Sequence, residues 1–258
     1  MTFTQQIDLP DGAALAYLDV GTGRPLLLMH GFTGTARAHL GELIDQLQGH
    51  YRVIAPDLRG YGASQPPARD FPPDFYQRDA DDMAALLRHV ACGPVVVLGF
   101  SDGAESAILL AAAYPELVRG VVAWGVSGVI SPEMVTAVQS RVPVPAKPNW
   151  GEWHRSIATL HGESQVEPMI RGWNEAAAAI LARGGNVCLQ EAAQVRCPVL
   201  LLNGDGEVGN TVRDVTRLRD SMANGRLEII VHSGHPIHHD QPEVFRQRVA
   251  AFLAEIDE

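Results

Sequence analysis

The sequence predicts a doubly wound α/β fold with a mostly parallel sheet and a helical insertion, and three observations carry that prediction. Short apolar runs rich in β-branched residues recur along the chain: "PLLLMHG" (25–31), "YRVIAPD" (51–57), "PVVVLGF" (94–100), "VRGVVAWG" (118–125), "CPVLLLNG" (197–204) and "RLEIIVH" (226–232). They are continuous rather than alternating, as strands covered on both faces are. Helical patterning separates them over Phe75 to Val90, Ala104 to Tyr114, Thr211 to Ala223 and Pro242 to Ile256. The rhythm breaks once, from about Ser127 to Cys188, where helical patterning continues without a clear strand.

Taken in order, the run at 25–31 leads into His30-Gly31, and the run at 51–57 ends on Asp57. The helix over 75–90 carries "RDADDM", in which Asp79 to Asp82 read as the acidic first turn of a solvated helix. The loop Arg59-Gly60-Tyr61-Gly62 reads as a tight turn with no chemistry. Asp102 and Asp240 stand at helix starts. The catalytic domain is expected at 1–126 and 189–258, with 127–188 as a helical cap over the carboxyl ends of the strands, where open α/β sheets bind ligands. Three of the four tryptophans, Trp150, Trp153 and Trp173, fall in that cap.

Bulk properties narrow the function. With 258 residues and a net charge of −10, the chain repels phosphates and anionic lipid, and no basic cluster reverses this locally. Nucleic acid and membrane surfaces are therefore not expected partners. Cys92, Cys188 and Cys197 are too few and too scattered for a disulfide framework or a metal site. "MTFTQQIDLPDG" lacks the pattern of a secretion signal, and no apolar run reaches the roughly 18 residues of a membrane span. A cytoplasmic location is the expectation.

The chemistry is concentrated around Ser101. Gly99-Phe100-Ser101-Asp102-Gly103 fits G-x-S-x-G and stands between a predicted strand and a predicted helix. There a sharp turn exposes the serine hydroxyl, and the flanking glycines let strand and helix approach. A serine hydroxyl needs a base to take its proton and an acid to orient the base. "HSGHPIHHDQPEVF" follows the last predicted strand, and His235, directly after Gly234, is the candidate base. His232, His238 and His239 lie in the same loop, but several histidines from one loop without a second cluster make a poor metal site, so no metal is expected. The acid should follow "CPVLLLN", which places serine, acid and histidine in the chain order of the α/β-hydrolase fold. "GDGEVGN" offers Glu207, three positions after a glycine, and the alternative Asp205, nearer the strand end.

An acyl-transfer site also needs donors for the developing oxyanion. The backbone N–H groups of Asp102 and of Phe32, in "MHGFTGT", are the candidates. Gly31, Trp124, Trp150 and Trp153 are the further candidate substrate contacts, beside the Asp102 carboxylate.

The stretches "DLRGYGASQPPARDFPPDFYQRDADD" (57–82), "LGFSDG" (98–103), "VVAWG" (121–125) and "GNVC" followed by "VRCPVLLLNG" (185–204) resemble the valacyclovirase-like, or biphenyl-hydrolase-like, serine esterases of the α/β-hydrolase superfamily. The resemblance implies hydrolysis of α-amino acid esters, with Ser101 as nucleophile, His235 as base and Asp102 as anchor for the substrate ammonium. It is much weaker across the cap. The chain departs from the family's pattern at the acid, where Glu207 and "VGNTV" replace an aspartate and a proline-containing loop.

Electrostatics gives Asp102 a second reason to hold a cation. A carboxylate about 6 Å from the oxyanion, at an effective dielectric of about 20, opposes it by ~3 kcal/mol. The helix dipole returns only about 0.3–1 kcal/mol. A protein cation or the substrate's own ammonium would offset the rest. Glu105, one turn on, reads as packing or salt-bridging on the helix. The expected function is thus a serine hydrolase of small-molecule carboxylic esters, preferring α-amino acid esters and needing no cofactor. The alternatives are a general carboxylesterase, thioesterase or amidase of the same fold, or a slow-turnover, receptor-like ligand-binding scaffold.

Overall fold

A computed structural model describes residues 5–66 and 68–257; part of the leader reading at the amino terminus rests on residues 1–4 and lies outside them. Among these residues, eight strands form one sheet in the order β1-β2-β4-β3-β5-β6-β7-β8: β1 (Gln5–Asp8), β2 (Ala14–Val20), β3 (Pro25–Met29), β4 (Arg52–Pro56), β5 (Val95–Phe100), β6 (Val118–Trp124), β7 (Val199–Gly204) and β8 (Gly225–Ile230). From β4 to β8 all pairings are parallel, whereas β1–β2 and β2–β4 are antiparallel. The six predicted strands are present, each within two residues of its expected ends. The β1–β2 hairpin was not expected, because its mixed polar and apolar residues lack the continuous apolar run of the central strands.

Side-chain alternation along each strand divides the core into two layers. On one face, Leu27, Met29, Val95, Val97, Val121, Ala123, Val199 and Leu201 pack against α2 (Phe75–Val90), α3 (Asp102–Ala113) and α7 (Val212–Asp220). On the other, Leu26, Leu28, Val96, Leu98, Val122, Trp124, Leu200 and Leu202 pack against α1 (Ala36–Leu47) and the C-terminal helix. Helix α1, capped by Thr35 Oγ1 on the Ala38 amide, went unread in the sequence. None of the helices is long and apolar enough to cross a membrane among the described residues.

Between β6 and β7 the chain forms α4 (Pro132–Gln139), α5 (Glu152–His161) and α6 (Val166–Ala182), with one isolated bridge between Val129 and Asn186. The two ends of this segment are tied together, since the Gly128 carbonyl accepts from the amides of Val187, Cys188 and Leu189. After β8 come a short turn of helix, α8 (Ile237–Asp240), and the long α9 (Pro242–Asp257).

The reading of Asp79 to Asp82 as a solvated turn is corrected for two residues. Asp79 is fully enclosed against Arg69 in a bidentate pair at 2.7 and 2.6 Å, and Asp82 is buried against Arg59 at 2.8 and 2.7 Å. Helix α2 starts at Phe75, so both carboxylates lie beyond its first turn, on the side that faces the loop 57–69.

Candidate active site

Ser101 sits at the junction of β5 and α3 with φ 55° and ψ −122°, a left-handed conformation that costs a non-glycine residue about 1–3 kcal/mol. The flanking glycines make the turn possible. A Cβ on Gly99 would lie 2.7 Å from Ala104 Cα, and one on Gly103 would lie 2.5 Å from the carbonyl oxygens of both Met29 and His30. The turn points Ser101 Oγ at His235 Nε2, 2.9 Å away, and His235 Nδ1 lies 2.6 Å from Glu207 Oε2.

Glu207 follows β7 and is almost enclosed, its side chain 6% exposed. Its second oxygen, Oε1, accepts from the amides of Gly209 and Asn210 at 2.9 and 3.3 Å. Burial pushes this carboxyl up, but the hydrogen bond and charge of His235, with the two amides, outweigh it and hold the group below its ordinary value. Asp205, the alternative acid, points elsewhere: it is exposed and accepts from the Ser233 amide at 3.3 Å. Asn210, which sequence reasoning passed over, joins three parts of the site. Its Nδ2 donates to the Gly125 carbonyl at 3.0 Å and lies 3.5 Å from His235 Nδ1, while Oδ1 accepts from Ser127 Oγ at 2.9 Å.

On the other side of Ser101, the loop after β3 is held by buried His30, whose Nδ1–H donates to the Gly31 carbonyl at 2.9 Å while Nε2 accepts from the Leu58 amide at 2.9 Å. Burial drives this imidazole well below its usual range, so it stays neutral. Gly31 abuts the serine so closely that a Cβ there would lie 2.7 Å from Ser101 Cβ. The N–H groups of Phe32 and Asp102 donate to no acceptor among the described residues.

Asp102 is 6% exposed, and its carboxylate meets two neutral donors, Tyr76 Oη at 2.9 Å and Trp173 Nε1 at 3.0 and 3.3 Å. Desolvation raises its pKa to about 6, against the lowering effect of the Tyr76 hydrogen bond, the more distant Arg69 charge and the Trp173 hydrogen bond. No cation touches it among the described residues. Tyr76 and Trp173 are partners of Asp102 that local sequence could not assign, because they come from α2 and α6 and converge only in the fold. Glu105, read as packing or salt-bridging on the helix, is buried, and its partners are neutral donors rather than a cation. Its Oε1 takes the amides of Ser127 and Gly128, both at 3.1 Å, and Oε2 takes the Cys188 thiol at 3.0 Å. Burial pushes its pKa to about 7.

These groups open on a cavity of about 740 Å³ between the sheet's carboxyl edge and helices α4–α6. Phe32, Trp153, Trp173, Met134, Val138 and Arg141 contribute to its wall. Two expected contacts are corrected. Trp124 follows Ala123 on β6, so alternation turns it to the α1/α9 face, where it is fully buried and its Nε1 donates to His238 Nδ1 at 3.0 Å. Trp150 lies outside the wall, its indole N–H donating to the Pro145 carbonyl at 2.9 Å. Of the remaining loop histidines, His238 is a core residue pushed by burial to about 3, His239 reaches the cavity, and His232 is solvent-exposed with φ 57°.

A serine hydroxyl hydrogen-bonded to an imidazole that is itself held by a carboxylate can attack a carbonyl carbon, and two unpaired amides beside it can receive the resulting oxyanion. Similarity to known proteins runs the length of this architecture. The chain is 29% identical over 247 residues to serine hydrolase BPHL of Mus musculus, covering 94% of this chain and 84% of the relative. It is 28% identical over 253 residues to 2-(acetamidomethylene)succinate hydrolase of Mesorhizobium japonicum, covering 90% and 89%. The fold matches that of esterase RhEst1 from Rhodococcus sp. ECU1013 with a TM-score of 0.77 at 22% identity, over 99% of this chain and 100% of the other. Residues 26–248 match the family described as Alpha/beta hydrolase family. That match begins in β3 and ends in α9, taking in every strand and loop that shapes the site, and on this ground the chain is a hydrolase belonging to the alpha/beta hydrolase family.

Proposed function

We propose that the chain is a serine hydrolase that cleaves small carboxylic esters through a Ser101 acyl-enzyme and prefers α-amino acyl groups. The observation that carries this reading is the placement of a buried carboxylate, Asp102, next to the serine with neutral donors as its direct partners. An ammonium on the acyl group would pair with it and cancel its repulsion of the oxyanion.

In this mechanism His235 Nε2 takes the proton from Ser101 Oγ as the oxygen bonds to the ester carbonyl carbon. The N–H groups of Phe32 and Asp102 hold the oxyanion. Collapse of the tetrahedral intermediate breaks the bond to the alcohol oxygen, which leaves with the proton from His235. Water then repeats the sequence on the acyl-enzyme, giving up a proton to His235 and releasing the acid and Ser101. The segment 127–188 serves as the cap that encloses the substrate, with Trp153 and Trp173 as its aromatic contacts.

The experiment compares initial rates on esters of one alcohol whose acyl groups differ only by an α-ammonium, using wild type, Ser101→Ala and Asp102→Asn. The reading expects amino esters to be much faster, Ser101→Ala to be inactive, and Asp102→Asn to lose most of the difference. Equal proportional losses on both esters in Asp102→Asn would return this carboxylate to a helix-start role. Full activity in Ser101→Ala would remove the acyl-enzyme.

A further inference from the structure

The cavity in front of Ser101 carries charge of opposite sign at two places. On the α3 side stand Asp102 and, one turn on, Glu105, both buried. On the α4 side stands Arg141, the one guanidinium in the wall among the described residues, and it has no carboxylate partner among them. Its Cζ lies 4.8 Å from the centre of the Trp153 ring. A cation–π contact holds the cation but uses none of its five N–H donors, which stay available in the plane of the group. Desolvation acts against this cation, holding it below its ordinary value.

The ring under Arg141 is held by contacts of its own. Trp153 Nε1 donates to Thr33 Oγ1 at 3.1 Å, and the ring packs edge-on to Phe32 at 6.3 Å. Phe32 in turn stacks on Trp173 at 5.3 Å, and Trp173 donates to Asp102. A continuous aromatic row therefore joins the anionic and cationic ends. Met134 and Val138 lie one turn apart on α4, and Arg141 follows in the turn after the helix, its amide donating to the Val138 carbonyl at 3.0 Å, so that all three line the same wall of the cavity. Met134 lies beside Gly209 of the Glu207 loop.

His235 must deliver its proton from Nε2 to the leaving oxygen, so the alcohol departs past His235 into the cavity that Met134, Val138 and Arg141 also line. We propose that Arg141 is an anion subsite and that the preferred ester is zwitterionic, with an α-ammonium on its acyl part at Asp102 and a carboxylate or phosphate on its alcohol part at Arg141. The assignment rests on the ester hydrolysis proposed above and adds the substrate's second charge. Arginine suits the task because its planar fork matches either oxyanion with two parallel hydrogen bonds.

The test uses four esters: acyl groups with and without the α-ammonium, each on an alcohol with and without a terminal carboxylate. The quantity read is the ratio of kcat/KM for the acidic over the neutral alcohol, in wild type, Arg141→Gln and Arg141→Glu. An ion pair with a solvent-accessible arginine predicts a wild-type ratio of roughly 2 to 5, carried by KM, falling to about 1 in Arg141→Gln and below 1 in Arg141→Glu. A wild-type ratio at or below 1, or one that both variants leave unchanged, overturns the subsite. The ratio is also read in the series without the ammonium, so loss of the amino preference would refute the Asp102 reading while leaving the Arg141 result intact.

Discussion

Glu207 holds His235 Nδ1 at 2.6 Å with one carboxylate oxygen and two amides of its own loop, Gly209 and Asn210, with the other. The longer side chain is thereby folded back and locked in one rotamer, so that an acid with an extra methylene meets the same imidazole nitrogen. The amide in Glu207→Gln can present a donor where an acceptor is needed, favouring the wrong imidazole tautomer. Loss of the orienting carboxylate predicts a fall in kcat of roughly 10⁴-fold, with KM little changed. Steady-state kinetics on a soluble amino ester checks this. An Asp205→Asn variant measured alongside is expected to stay within about threefold of wild type, as befits a solvated turn residue.

The pKa of Asp102 would set the pH range of the proposed amino preference. Burial raises this carboxyl to about 6, so it is protonated and uncharged below that pH and anionic above it. The substrate's α-amine loses its charge near about pH 8. Attraction needs both charges, so the ratio of kcat/KM for amino over plain esters should rise as pH passes about 6 and fall again near about 8. Taking the ratio removes any pH dependence that both substrates share. A ratio flat from pH 5 to 9, read in the same assay as the individual rates, would refute the ionic basis of selection.

Gly31 supports the serine by having no side chain. An alanine Cβ would meet Ser101 Cβ at 2.7 Å and the Phe100 carbonyl at 3.1 Å, so the loop carrying the Phe32 amide must retreat. Displacing one oxyanion donor costs about 10²–10³ in kcat, and Gly31→Ala is expected to fall in that range while keeping its far-ultraviolet circular dichroism.

The Arg69–Asp79 pair is a stability feature outside the reacting groups, with side chains 1% and 0% exposed. Arg69 also lies 5.1–5.4 Å from the ring centres of Tyr61, Phe71 and Phe75. Arg69→Met leaves Asp79 charged and buried without its partner, which predicts a loss of about 3–5 kcal/mol in urea unfolding. The double variant Arg69→Met with Asp79→Leu should recover much of that loss, because it removes both charges from the interior.

The central sheet and the Ser101 turn were legible because each rests on a local pattern: an uninterrupted apolar run, or a pentapeptide between strand and helix. Glu207 and His235 could be found because they follow strands whose ends were already marked. Tyr76, Trp173 and Asn210 were not legible, since nothing beside them in the chain distinguishes them and their side-chain partners in the site lie 25 to 85 positions away. Trp124 was misplaced for the opposite reason. It lies at the correct end of the correct strand, but a shift of one residue in a period of two sends a side chain to the other face. Asp79 and Asp82 looked like surface acids because their arginines, 10 and 23 positions upstream, sit in a loop whose path the pattern of apolar residues does not reveal.

Glu105 accepts from Ser127 and Gly128 at the entrance to the segment 127–188 and from Cys188 at its exit. Both ends of that segment are therefore fastened to the helix that begins at the nucleophile. They form a shared anchor, so a motion that admits substrate with these bonds intact has to bend the arms beyond it, in α4, α5 and α6. For a chimera that exchanges this segment with that of a relative, residue 105 and residue 188 are part of the graft, even though one of them lies in the body of the enzyme.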